Sequence, residues 1–458
     1  MLQKMKKLLL LLCLPFAVFA QSNKLSKANK IYGLSKFWQE VNYNFVYLDK
    51  VDRQLWDSTY KTLIATIPET KSDFDYYREL QKFCALLKDG HTNVYMPATK
   101  EFELMNTMFG EYRFFLENID GKAIVTRVNV SKKNEIPLGS EIIEVNGLST
   151  RAYIAQHVAP YISSSTTYVL DDLSRSKLLQ GREGDRYVVK IKKPKGEIIT
   201  LNLTHKTSEE KETFPALTTE SKLFELKWYP NDVAYLALNS FGDTKINEQF
   251  LEKLPELYRA KAVIIDLRNN GGGSTTIGMN ILQYFTTDTL LYGSKNATRQ
   301  NTSAFKAWGY YTKAADTVNN DWNKKALQTY EDKFIYHFDY SPSHIKLDAK
   351  RIVVPTAVLI GHNTASAAED FLILADNQKH FKKIGMNSFG STGQPYLFDM
   401  PGGGKARVCT KKDTYPDGRE FVGYGIKPDI EVVPTLNDYL QQKDVTLARA
   451  LSYLQKGR

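Results

Sequence analysis

The sequence predicts an α/β protein: a core of buried strands that lead into helices, a helical region ahead of it, and a β-rich unit in between. Three observations carry that prediction. Two apolar, β-branched runs, Lys261-Ala-Val-Ile-Ile-Asp266 and Ile352-Val-Val-Pro-Thr-Ala-Val-Leu-Ile360, read as buried strands, and each leads through small and polar residues into a helix-like segment. Val233–Leu238, an amphipathic stretch near Asn247 to Arg259, and Val263–Asp266 follow in the order of a β-α-β crossover. Between residues 104 and 206 the texture changes to alternating strands closed by tight turns.

The chain begins with a basic Met1–Lys7, an apolar Leu8–Phe19 and a small-residue site at Val18-Phe-Ala20. This reads as a signal peptide over 1–20, too short for a stable membrane anchor, with a mature start near Gln21 and a periplasmic or secreted destination. Cys13 does not read as a lipidation site, since Leu12 precedes it where a small residue is expected. The formal charge of +10 loses Lys4, Lys6 and Lys7 with the leader. The remainder is a mildly basic surface with no dense Lys/Arg run between aromatics, which points away from nucleic acid. Cys84 and Cys409 are left as a pair that an exported location permits to bridge and that burial equally explains as free thiols.

At 458 residues the chain has room for about three domains. Residues 24–100 are expected to be helical, with Leu34, Phe37, Trp38, Val41 and Phe45 on one face and a second helix from Phe74 to Leu87. That helix runs into Lys88-Asp-Gly-His-Thr-Asn-Val94. In the unit 104–206, Ile136-Pro-Leu-Gly-Ser-Glu-Ile-Ile-Glu-Val-Asn-Gly147 reads as a strand ending in an Asn-Gly turn, and residues 187–203 read as a hairpin across Pro194-Lys-Gly196. A polar linker over 207–225 overlaps the start of a core spanning 215–440, within which 294–347 lacks clear periodicity and reads as a substrate-facing flap or an interface arm. Met400-Pro-Gly-Gly-Gly404 suits a hairpin turn, and 441–458 a terminal helix.

Two stretches carry chemistry. Gly361-His-Asn-Thr-Ala-Ser-Ala-Ala-Glu-Asp370 places Ser366 where a strand turns into a helix N-terminus. There it is either an N-cap or a nucleophile whose oxyanion the free helix amides would hold. Asp266-Leu-Arg-Asn-Asn-Gly-Gly-Gly-Ser274 exposes several N–H groups after a strand, but it has neither a P-loop GK[ST] ending nor G-x-G-x-x-G spacing. No H-E-x-x-H or comparable spacing marks the seven histidines as metal ligands, and no cofactor is implied.

Taken together, the two motifs in this order resemble the tail-specific, or C-terminal processing, serine peptidases, which include the tricorn core peptidases. The resemblance implies a crotonase-like α/β catalytic core. It also implies Ser366 as nucleophile and an oxyanion hole from the N–H groups of Gly271 or Gly272 with that of Ala367. The phrase Leu138-Gly-Ser-Glu-Ile-Ile-Glu-Val-Asn-Gly147 is similar to a PDZ domain. That similarity implies capture of polypeptide C-termini, with Phe109 and Gly110 in the candidate carboxylate-binding loop, or a PDZ-like lid without that role. Bacterial members carry F-G-K-G with a lysine base where this chain has Phe389-Gly-Ser-Thr392, so His91 becomes the expected base, as in the tricorn-like branch. Glu369, Glu420 and Asp417 are the candidate acidic partners, and Val422 stands where many relatives have glutamate. The implied activity is endoproteolysis of unfolded or flexible polypeptides. The alternatives are a degenerate relative that binds peptides or apolar ligands, and an acyl-CoA enzyme, which the leader disfavours.

Overall fold

The computed structural model describes residues 24–217 and 222–456. The expected signal peptide, Cys13 and Gln21 lie outside the described residues. The organising element is a six-stranded sheet in the order Phe224–Tyr229, Val233–Leu238, Ala262–Asp266, Thr356–Ile360, Phe381–Gly385, Ile430–Glu431. The first pair is antiparallel and the remaining pairings are parallel.

The three central strands are buried at every residue, which is why they read as continuous apolar runs rather than as alternating ones. Ala234, Leu236, Leu238, Val263, Ile265 and Val358 join the large core with the N-terminal helices. The intervening Val233, Tyr235, Ala262, Ile264, Ala357 and Leu359 pack with Ala450 and Leu454 of the terminal helix Val445–Lys456 on the other face.

The helical region is three helices, Lys27–Asn44, Arg53–Thr66 and Asp73–Ala85, capped by the side chains of Ser26, Asp52 and Ser72. Leu34, Phe37, Val41 and Phe45 are buried as the spacing predicts, and Trp56 stacks on Phe83 at 3.9 Å. Trp38 instead stacks on Tyr60 at the margin of the core. Among the described residues no helix is long and apolar enough to cross a membrane.

The β-rich unit has its own core, built from Phe109, Phe114, Val125, Val128, Val145, Val189 and Ile191 among others. The expected hairpin pairs Arg186–Lys192 with Ile198–Thr204. Asn146 and Gly147 both take positive φ, 50° and 81°, as a two-residue turn of this type requires. A helix, Thr167–Ser176, lies against the strand Tyr112–Ile119 of this sheet and reaches toward the central sheet.

Residues 294–347, expected as a flap or an arm, carry strands and helices of their own. Strand Lys295–Arg299 pairs with both Ile335–His337 and Lys412–Thr414, and between its strands stand the helices Ser303–Gly309 and Asp321–Tyr330. Arg299 fastens the arm to the carbonyls of Asn42 and Phe45 at the end of the first helix. The helices are too short for a periodic pattern to stand out. Cys84 and Cys409 are buried free thiols. The Met400–Gly404 turn joins the antiparallel strands Pro395–Asp399 and Lys405–Cys409 as expected.

Candidate active site

The site lies at the carboxyl ends of the parallel strands, where turns leave the sheet. After Ala262–Asp266 the chain is pinned by Asn270, whose buried side chain donates to Leu238 O at 2.9 Å and accepts from Gly272 N at 2.9 Å. The Asn270 carbonyl accepts from Ala365 N, so one residue joins the glycine turn to the serine turn. Gly272 has φ +99°, and an added Cβ would stand 2.7 Å from Ser366 Cβ and 3.0 Å from Ala367 N. Only glycine allows the two turns to approach this closely.

After Thr356–Ile360, Thr364 donates to Leu267 O and accepts from Gly361 N, closing the loop from inside. Ser366 then adopts φ 55°, ψ −121°. This is a sparsely populated conformation for a residue with a side chain, and it is not the extended backbone of an ordinary N-cap. A sharp, strained turn between strand and helix is how a nucleophilic serine is held proud of a sheet. Helix Ala367–Leu374 starts at the next residue. Among the described residues the amides of Gly271 and Ala367 make no hydrogen bond, whereas that of Gly272 is taken by Asn270. Of the two expected glycine donors, Gly271 is therefore the available one.

His91 follows helix Asp73–Ala85 on a turn held from several directions. Buried Asp89 accepts from Thr92 Oγ1 at 2.6 Å and from Ser165 Oγ at 3.3 Å; Ser165 Oγ accepts from Gly90 N, and Arg407 donates to Gly90 O. His91 Nδ1 lies 2.7 Å from the buried Ser391 Oγ. Burial first, then the positive charges of Arg407 and Lys411, push the imidazole down to about 4.

The expected acidic partners are elsewhere. Glu420 pairs with Lys50 at 3.1 Å and with Lys412, and Asp417 pairs with Arg419. Neither hydrogen-bonds His91; each is held by its own cationic partners. Glu369 is fully buried and does not contact His91 either. Its Oε2 accepts from Ser366 N at 3.1 Å, and its Oε1 accepts from Ser388 Oγ at 2.5 Å and Gly390 N at 2.8 Å. Burial raises its carboxyl to about 8 against the pull of these donors. Glu369 thus ties the serine turn to the loop that carries Ser391, and Ser391 holds His91. It is a positioning residue.

Phe109 and Gly110 are not placed as a carboxylate-binding loop. Phe109 is buried in the β-rich unit's core and stacked on His205, and the Gly110 amide donates to Lys206 O. The β-rich unit touches the site through its helix instead. Tyr168 Oη donates to Ser388 O at 2.6 Å, Thr166 Oγ1 donates to Phe389 O, and Asp172 meets His362 Nδ1 at 2.6 Å. A cavity of about 630 Å³ opens between this helix and the serine turn, lined by Asn118, Asp172, Arg268, His362 and Asn363.

Asn270 and Thr364 stand inside the quoted motifs, yet their roles depend on contacts the motifs do not show. Ser165 and Tyr168 gave no local signal at all.

Residues 232–432 match the family model for peptidase family S41. A carboxyl-terminal-processing protease of Picosynechococcus sp. is 21% identical over 375 residues, covering 80% of this chain and 74% of the relative. The fold is similar to that of mature CPAF, with a TM-score of 0.67 at 15% identity over 94% of this chain and 96% of that one. It is also similar to mature CPAF complexed with lactacystin, with a TM-score of 0.65 at 14% identity over 94% and 97%.

Proposed function

We propose that this chain, whose residues 232–432 match the model of peptidase family S41, is an exported serine endopeptidase acting on unfolded or flexible polypeptides. The observation that carries the reading is Ser366 at φ 55°, ψ −121° at the head of a helix, with the glycine turn against it. Ser366 Oγ attacks the scissile carbonyl carbon, and His91 takes the hydroxyl proton and returns it to the leaving amine. With Nδ1–H donated to Ser391, Nε2 keeps the lone pair the reaction needs. The amides of Ala367 and Gly271 are the donors for the oxyanion.

Polypeptide is the substrate class that the family match supports. Export rests on the leader sequence, and flexible substrates on the implied role of the β-rich unit. Turnover of an unstructured polypeptide by the purified chain and by Ser366→Ala tests the reading. Cleavage by the wild type and none by the variant is expected; equal cleavage by both would place the nucleophile elsewhere. A second reading, a peptide-binding relative without effective catalysis, is favoured by one observation: the His91 imidazole is held by a serine and, among the described residues, hydrogen-bonds no carboxylate. Tight binding of polypeptide by a wild type that cuts none would establish it.

A further inference from the structure

The small sheet of Asn93–Tyr95, Lys405–Cys409 and Pro395–Asp399 begins two residues after His91. Its inner face, Val94, Ala406 and Val408, is part of the large core. Strand alternation turns Arg407 to the opposite face, and the register sets Asn93, Arg407 and Leu397 in one row across it. Tyr95 and Leu397 on that face are 41% and 53% exposed, with the Tyr95 hydroxyl donating to Asn93 Oδ1 and its ring beside the Arg407 guanidinium.

Arg407 is preset along one edge; the buried Asp89 carboxylate acts on it only beyond ion-pair distance, and its guanidinium lies 5.6 Å from the Tyr95 ring. Its Nε and Nη2 donate to Asn93 Oδ1 at 2.9 and 2.7 Å, and Nη2 also donates to Gly90 O at 3.3 Å. Among the described residues Nη1 has no hydrogen bond and no carboxylate comes within ion-pair distance of the guanidinium. The neighbouring cations are matched, Lys405 with Asp399 and Lys411 with Asp413. Asp89, beside Gly90, accepts hydrogen bonds from Thr92, Ser165 and the His91 amide, and acts on Arg407 only at longer range. A half-buried guanidinium fixed on one edge and vacant on the other is built for a planar anion.

We infer that a substrate segment lies across this face beside His91, and that Arg407 binds a carboxylate of that segment. The inference rests on the peptidase reading and adds a specificity: peptides with a carboxylate near the scissile bond, supplied by an Asp or Glu side chain or by the chain's own C-terminus. The charge of Arg407 is one of the causes that make His91 a weak base, so an anion seated there also favours proton transfer to the imidazole.

The test uses peptides matched except for Glu against Gln at each position near the cut, each with a free and an amidated C-terminus. Cleavage is measured as kcat/KM, and binding as anisotropy with Ser366→Ala. Wild type should favour carboxylate-bearing peptides about 10-fold or more. The preference should collapse in Arg407→Gln and survive in part in Arg407→Lys. Ratios taken within one variant cancel any disturbance of the His91 turn. Loss of the preference on amidation identifies the C-terminus as the source, and its persistence identifies a side chain. A wild-type ratio near one, or a ratio unchanged in Arg407→Gln, overturns the proposal. If no peptide is cut but Ser366→Ala binds with the preference and loses it in Ser366→Ala/Arg407→Gln, the peptidase reading fails and the anion site stands.

Discussion

At the scale of the residue, the proposed mechanism makes His91 the group that sets how the site behaves with pH. An ordinary imidazole titrates near 6.5, whereas burial, Arg407 and Lys411 bring this one to about 4. A general base works only when neutral, so kcat/KM should rise with an apparent pKa near 4 and stay flat through the range where an unperturbed histidine titrates. A pH–rate profile checks this, and an inflection at 6 to 7 would contradict it. The linkage runs in the same direction. A histidine with a depressed folded-state pKa costs stability as pH falls from about 6.5 toward about 4, because the unfolded chain takes up the proton first. The same residue shows what the sequence made legible. Ser366, the glycine turn and His91 stand in local patterns whose chemistry depends on near neighbours. The partner of His91 does not: Ser391 replaces a carboxylate through a contact spanning 300 residues.

At the scale of the element, the helix Thr167–Ser176 is a brace between the β-rich unit and the catalytic loop. Tyr168 donates to the carbonyls of Ser388 and Tyr424, and its ring stacks on His362 at 4.5 Å. Gly425 lies so close beneath it that a Cβ there would meet Tyr168 Oη at 2.3 Å. Tyr168→Phe removes one hydrogen-bonding group at a stability cost of about 0.5–1.5 kcal/mol, yet it loosens the loop that sets Ser391 and, through it, His91. The expected outcome is a fall in kcat of about 10-fold or more with a small change in melting temperature. A variant that melts markedly earlier at unchanged kcat would make the tyrosine merely structural. The elements themselves were legible in proportion to their periodicity. The buried parallel strands and the first helix announced themselves, while the arm over 294–347 did not, because its helices run only seven and ten residues. The PDZ-like phrase located a β-rich unit, but the residues by which that unit meets the site, Ser165, Thr166 and Tyr168, sit in a polar serine-threonine run that composition alone marks as a loop.

At the scale of the whole molecule, the β-rich unit and the core around the central sheet are separate in packing and meet at the candidate site. Their hydrophobic clusters share no residue, so each buries its own apolar surface and can lose it separately. The joints at the candidate site are polar, Ser165 on the His91 turn, Thr166 and Tyr168 on the Ser391 loop and Asp172 on His362; away from it Leu440 lies against Gly139 and Tyr439 bonds the Thr126 carbonyl. Damage confined to the β-rich core should therefore abolish activity before the catalytic core unfolds. Ile191 is completely buried in that core, and Ile191→Ala should cost about 2–5 kcal/mol within the unit. Heating this variant should give activity loss, together with the first step of circular dichroism, at a lower temperature than in the wild type, while the later step from the central sheet stays in place. A single shifted transition would mean that the polar joints bind the two cores into one cooperative unit. Activity that outlasts the first step would mean that the helix Thr167–Ser176 braces the site without the sheet beneath it.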